Sequence, residues 1–216
     1  MNKETIKRII SSIVIIPIAL FFIIKGSFFF IFFMSVFFLV TSYEWYQMSK
    51  KKSHCIPGLL FLLTSTYLTY LFRNDNHEET FTVFLIVILI CVSTDIGGYI
   101  FGKIFKGPKL TKISPNKTYA GMFGGFFLSI ISVNIFLNYS YYTQSQNIEL
   151  TPIVFILILL ISSISQIGDL IISYFKRISK IKNTGKLLPG HGGLLDRVDG
   201  LIFAVPSSYI LFKLLY

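Results

Sequence analysis

The chain has 216 residues, of which 53% are hydrophobic, 17% aromatic and 14% charged, with a mean hydropathy of +0.69. Soluble domains carry about 25% charged residues, so an ordinary water-soluble fold is excluded, and the apolar content excludes a solvated disordered chain. In a soluble protein the net charge of +10 would suggest nucleic acid. In so apolar a chain its meaning depends on where the charges fall, and no nucleic-acid partner is expected.

Crossing ~30 Å of hydrocarbon takes ~20 mostly apolar residues in a helix. Seven stretches answer that description: residues 9–24, 28–43, 57–72, 81–101, 119–138, 152–175 and 200–216. The first two are separated only by Lys25-Gly26-Ser27, which predicts a tight helical hairpin. Residues 9–24 are not read as a cleaved signal, because no small-residue cleavage site follows and a second span begins at once. With no fixed-period repeat and no linker, residues 1–216 are expected to form one all-α, polytopic membrane bundle of about seven helices. Cys55 and Cys91 are too few and too scattered for a disulfide framework or a zinc site, and read as apolar filler.

Alternating the spans places seventeen of the twenty basic residues on one side. They occupy the N-terminus and the connections 44–56, 102–118 and 176–199. By the positive-inside rule these segments are cytoplasmic, in what is expected to be a bacterial inner membrane. The connection 73–80 is acidic, and 139–151 has no Lys or Arg at all. Topology and attraction to anionic lipid account for Lys50, Lys51 and Lys52. They do not account for the carboxylates and long basic loops that follow.

An ionisable residue at membrane depth costs roughly 2.5–3.5 kcal/mol on insertion scales. Two acids stand there, Asp95 in the fourth span and Asp169 in the sixth, each toward the cytoplasmic end. On the sixth span Ser162, Ser165, Asp169, Ser173 and Lys176 recur every three or four residues, so they share one helical face. The serines alone are adequately explained as helix–helix hydrogen bonds. Asp169 asks for a function. On the fourth span Asp95, Gly98 (or Tyr99) and Gly102 repeat the pattern, and Gly97 and Gly98 allow close approach of a neighbour.

The connection 102–118 contains Ser114-Pro115-Asn116-Lys117-Thr118, followed by Gly121, Gly124 and Gly125 at a helix start. Such a segment can hold phosphate oxygens with backbone N–H groups, or be a solvated, capped turn; it is not a Walker A loop. The connection 176–199 is more specific. It combines six basic residues with His191-Gly192-Gly193 and Asp196-Arg197-Val198-Asp199. Asp196 and Asp199, three apart, could join Asp169 in an oxygen cage for a hard cation. Mg²⁺ takes one or two carboxylates plus phosphate oxygens, so the pattern describes Mg²⁺ with a polyphosphate.

These segments resemble the phosphatidate cytidylyltransferases. Ser173, Lys176, Arg177, Lys182, Gly185, Leu188, Pro189, His191, Gly192, Gly193, Asp196, Arg197 and Asp199 fit that family's signature at its spacing. Upstream, Asp95, Gly97, Tyr99, Gly102, Lys103, Lys109, Leu110, Ser114, Pro115, Lys117 and Thr118 also match. The resemblance covers about residues 91–206, the N-terminal spans matching only as generic hydrophobic helices. Asn183 stands where the signature has Asp, Gly98 where Ala is usual, and Ala120 where Glu or Gln is common. The chain is also short for the family, with fewer N-terminal spans.

The resemblance implies an enzyme that joins CTP and phosphatidic acid to give CDP-diacylglycerol and pyrophosphate at the cytoplasmic leaflet. It implies Mg²⁺ on Asp169 and Asp196, with Ser173 and Lys176 completing the site and a second cation plausible beside it. Arg177, Lys182, Arg197 and His191, with Gly192 and Gly193, would hold phosphates. Lys117 and Ser114 would contact nucleotide or headgroup, and Asp95 would line the substrate side. Asp199 would either back the metal ligands or orient Arg197. Membrane lipids and a second copy of the chain are the remaining implied partners.

Two other readings compete. Another Mg²⁺-dependent membrane nucleotidyl- or phosphotransferase fits the same charges, although the pattern of the CDP-alcohol phosphotransferases is absent. An ion-coupled transporter could use Asp95 and Asp169 as a relay, but would not need the long glycine- and arginine-bearing loop.

Overall fold

The computed structural model describes residues 16–50, 52–77, 79–142, 150–185, 187 and 192–215. Among these the architecture is all-α. The helices are α1 (Ile16–Lys25), α2 (Ser27–Ser49), α3 (Cys55–Arg73), α4 (Thr80–Phe105), α5 (Tyr119–Tyr142), α6 (Pro152–Ile178), α7 (Leu195–Val198) and α8 (Leu201–Leu215). Helices α2 to α6 are long and apolar enough to cross a membrane, while α1 and α8 are shorter apolar helices. The chain is an integral membrane protein. Residues 9–15 of the first expected span and Tyr216 of the last lie outside the described residues.

Two boundaries differ from the sequence expectation in a way that matters. Helix α2 does not stop at residue 43 but continues to Ser49, carrying Glu44, Trp45 and Met48 inside. Helix α6 continues to Ile178, so Lys176 and Arg177 are helical rather than loop residues. In both cases polar side chains find partners that offset their burial.

The chain divides into two compact units. The first comprises residues up to Asp75 together with Phe175–Asp199. Here α1 and α2 are separated by the single residue Gly26, at φ +64°. Phe22 stacks on Phe33 with ring centroids 5.5 Å apart. Eleven residues along one straight helix would separate them by about 16 Å, so the chain reverses at Gly26, as the hairpin expectation required. Arg73 donates to the carbonyls of Ile23 at 3.0 Å and Ile24 at 3.2 Å, satisfying acceptors left open at the end of α1. Helix α2 packs on α3 and touches α7. Trp45 donates to the Cys55 carbonyl at 3.0 Å and meets Phe175 edge-on. Lys52 donates to the Ile178 carbonyl and the Ser179 hydroxyl, which places a cation at the negative end of α6.

The second unit comprises Asn76–Tyr174 and Gly200–Tyr216. Helices α4 and α5 make its main contact, and α8 packs on α4. In hydrocarbon no hydrophobic drive separates helix from lipid, so association rests on close packing and interhelical hydrogen bonds. Both are present. A Cβ on Gly97 would collide with the carbonyl oxygen of Gly124, so the two backbones touch there. Thr94 of α4 and Ser162 of α6 share a hydrogen bond at 2.7 Å, fully buried. The outward faces stay apolar: Phe123, Ile135, Ile153 and Ile156 are exposed, as side chains turned toward lipid should be.

Candidate active site

Unit two brings Lys117 and Asp169 together. The connection after α4 is a short hairpin. Lys109 and Thr118 form an antiparallel bridge, the Leu110 N–H donates to the Lys117 carbonyl at 2.8 Å, and the Lys117 N–H donates to the Ser114 carbonyl at 3.0 Å. Thr118 then accepts the Gly121 N–H at 3.1 Å through its hydroxyl, which caps the start of α5. Held in this turn, Lys117 forms an ion pair with Asp169 of α6. Ser173, one turn further along α6, donates to the other carboxylate oxygen at 3.3 Å. The two charged side chains are 26% and 27% exposed, so this locus is reachable from outside while Ser173 itself is buried.

The polar face expected on α6 is present and turned inward: Ser162, Ser165, Ser173 and Lys176 are all buried. Ser162 serves the contact with Thr94, which is the helix–helix role. Asp95 lies exposed on α4.

Unit one holds a second cluster. Lys176 donates to Asp196 Oδ1 at 2.9 Å. The other oxygen of Asp196 accepts the Thr184 N–H at 2.8 Å and the Gly193 N–H at 3.0 Å. Asp199 is buried just after α7, whereas Arg177, Lys182, Asn183 and Arg197 are exposed. Gly192 takes φ +91°, a conformation that favours glycine. His191 lies outside the described residues, as do Lys186, Leu188, Pro189 and Gly190.

Glu44 belongs to this cluster and was missed from the sequence. It is 4% exposed and accepts from Thr184 Oγ1, the Leu194 N–H and the Leu195 N–H. The signal available was a lone acid at the end of an apolar run, but ending the second span at residue 43 left Glu44 in the following connection with no role assigned.

Among the described residues no three of His, Cys, Asp or Glu gather closely enough to hold a metal ion. Mg²⁺ needs no such cage when substrate phosphates supply most of its ligands. A carboxylate has about four lone-pair sites. Asp169 spends two on Lys117 and Ser173 and keeps the rest at a partly exposed position. Asp196 spends three on protein donors and keeps about one. The donor chemistry therefore fits a phosphate-borne Mg²⁺, better at Asp169 than at Asp196.

The sequence matches the profile of the Cytidylyltransferase family over residues 6–74 and 60–215. The chain belongs to that family. The match runs through the N-terminal helices as well, so the expectation that family character begins near residue 91 was too narrow. A phosphatidate cytidylyltransferase of Staphylococcus aureus (strain COL) is 36% identical over 180 residues, 81% of this chain and 65% of that protein. One of Staphylococcus epidermidis (strain RP62A) is 36% identical over 177 residues, with the same coverage. One of Rickettsia typhi (strain Wilmington) is 33% identical over 204 residues, 94% of this chain and 89% of that protein. The chain thus spans about two thirds of the length of the staphylococcal relatives, and most of the rickettsial one.

Proposed function

We propose that this chain transfers a cytidylyl group from CTP to phosphatidic acid, giving CDP-diacylglycerol and pyrophosphate. The observation that carries the reading is the presence, in one membrane chain, of an accessible Lys117–Asp169–Ser173 locus and the spaced motif from Ser173 to Asp199. The rickettsial relative's name and coverage add weight. The lipid substrate stays in the bilayer with its phosphate at the interface, and CTP arrives from water. A site at the ends of apolar helices suits that geometry. The basic connections, read by the positive-inside rule, support a site on the cytoplasmic face of a bacterial inner membrane.

In this reading the phosphate monoester of the lipid attacks the α-phosphorus of CTP. One P–O bond forms, and the bond to pyrophosphate breaks. The nucleophile is already ionised, since the second pKa of a phosphate monoester is about 6, so no strong general base is needed. Catalysis is positioning and charge neutralisation. Mg²⁺, when bound, would supply a Lewis acid at the reacting phosphoryl and the leaving pyrophosphate. Asp169 and Ser173 would hold it, and Asp196 keeps one lone pair for a cation. Lys117, released from Asp169, would turn to a phosphate, with Ser114 beside it on nucleotide or headgroup. The exposed Arg177, Lys182 and Arg197, with His191, Gly192 and Gly193, would bind the triphosphate. Lys176 would hold the Asp196 carboxylate in position through its hydrogen bond, Asp199 would orient Arg197, and Asp95 would face the lipid substrate. The chain would act as a homodimer among membrane lipids.

The test is incorporation of labelled CTP into lipid by purified protein, with and without phosphatidic acid and Mg²⁺. Phosphatidate-dependent formation of CDP-diacylglycerol supports the reading. CTP consumption without phosphatidate dependence, or flux of ions with no CTP turnover, overturns it.

A further inference from the structure

Glu44 carries a consequence for the connection between α6 and α8. A buried carboxylate is costly unless hydrogen-bonded, and this one is bonded at both oxygens. Oε2 accepts Thr184 Oγ1 at 2.9 Å and the Leu195 N–H at 2.8 Å, while Oε1 accepts the Leu194 N–H at 2.8 Å. These donors lie 140 or more residues downstream. They are a hydroxyl and two backbone amides. The start of α7 has no side-chain cap of its own, and Glu44 supplies from α2 the acceptors that its first amides need.

The fit is close. A Cβ on Gly193 would land on Glu44 Oε2 and Thr184 Oγ1, and one on Gly185 would sit 2.7 Å from Glu44 Oε1. From the other side Asp196 Oδ2 accepts the amides of Thr184 and Gly193. Thr184 and Gly193 are thus gripped by two carboxylates, one from α2 and one from α7. Between them in sequence lie His191 and Gly192, and Gly193 completes the His-Gly-Gly triplet.

We propose that Glu44 is a positioning residue, which fixes Thr184 and Gly193–Leu195 so that the triphosphate-binding loop and Asp196 are held in register. The kinetic part rests on the proposed cytidylyltransferase reading; the clamp itself does not. Glu44→Gln replaces an acceptor oxygen with an amide that faces a backbone donor, at nearly unchanged volume. It should lower kcat/KM for CTP about 10- to 100-fold, the usual range for loss of a supporting contact. The KM for phosphatidate should stay within about twofold if, as the proposed reading has it, this loop binds the triphosphate and not the lipid. Glu44→Asp, which restores both acceptors on a shorter arm, should recover part of the loss. Thr184→Val should give a smaller loss, and the double variant no more than Glu44→Gln alone, because both break one network.

Amide hydrogen exchange on a peptide covering residues 192–199 reads the clamp without any turnover. It should quicken in Glu44→Gln and in Thr184→Val, with α4 and α5 unchanged. Wild-type CTP kinetics and wild-type exchange in Glu44→Gln would overturn the proposal, as would equal loss of affinity for both substrates. If Glu44→Gln does not fold, Thr184→Val decides: unchanged exchange and unchanged KM for CTP sink the idea. If the unaltered protein makes no CDP-diacylglycerol, the enzymatic reading falls while the exchange comparison still decides the clamp.

Discussion

Lys176 and Asp196, twenty residues apart, form an ion pair at 2.9 Å with side chains only 11% and 6% exposed. At this depth the desolvation of both charges nearly cancels their attraction, so the pair is weak evidence of stability in itself. What the geometry secures is dependence of each partner on the other. Asp196 also holds two loop amides, so losing Lys176 leaves a buried charge that organises the connection.

Lys176→Met and Asp196→Asn should therefore each destabilise the folded protein by about 3–5 kcal/mol, the range for breaking one side of a buried pair. Thermal unfolding in detergent checks this. A loss below about 1 kcal/mol would mean that the pair is solvated in practice.

The Lys117–Asp169 pair should behave in the opposite way. Its side chains are roughly a quarter exposed, and a partly solvated pair contributes under about 1 kcal/mol. Asp169→Asn should leave the melting temperature almost unchanged while lowering CTP incorporation by about 100-fold or more, if the carboxylate stabilises charge in the reaction. Lys117→Ala should also be stable and inactive. Melting and turnover measured on the same preparations separate the two pairs.

The difference between the clusters marks how far the sequence could be read. Asp169, Ser173 and Lys176 were visible as one helical face because the spacing of a helix is local and fixed. The all-α membrane architecture followed from apolar run lengths for the same reason. That Lys117 would find Asp169 was not visible, since 52 positions separate them and no local rule pairs a turn lysine with an acid on a later helix. Glu44 was hidden by the apolar run before it: ending the span at residue 43 left a buried acceptor in the next connection, among residues to which only lipid attraction was assigned. Only its donors, Thr184, Leu194 and Leu195, reveal its role, and two of those are backbone amides that leave no trace in residue type.

Metal dependence gives a further check. With no closed cage among the described residues, the cation should be exchangeable and weakly held in the absence of nucleotide. Chelation should abolish CTP incorporation at once and without unfolding, and added Mg²⁺ should restore it. Asp169→Asn should shift the Mg²⁺ concentration for half-maximal residual activity upward, by about tenfold for a lost ligand contact of about 1.4 kcal/mol. An unchanged Mg²⁺ curve would remove Asp169 from the metal.

Gly97 and Gly98 are adjacent on α4, yet they should respond differently to the same change. A Cβ on Gly97 would strike the Gly124 carbonyl oxygen and approach Leu128, and backbone cannot move aside cheaply. Gly97→Ala should push α4 from α5 at an overpacking cost of about 1–3 kcal/mol. A Cβ on Gly98 would lie 3.7 Å from the Gly121 carbonyl oxygen, an ordinary contact. Gly98→Ala also removes a glycine from a helix interior, where Ala is favoured by about 0.8–1.0 kcal/mol in soluble hosts. It should be neutral or stabilising and fully active, which accords with Ala being usual at this place in the family signature. The measurement is the melting temperature of the two single variants in one detergent. Equal losses would mean that the α4–α5 crossing is looser than its backbone contact implies.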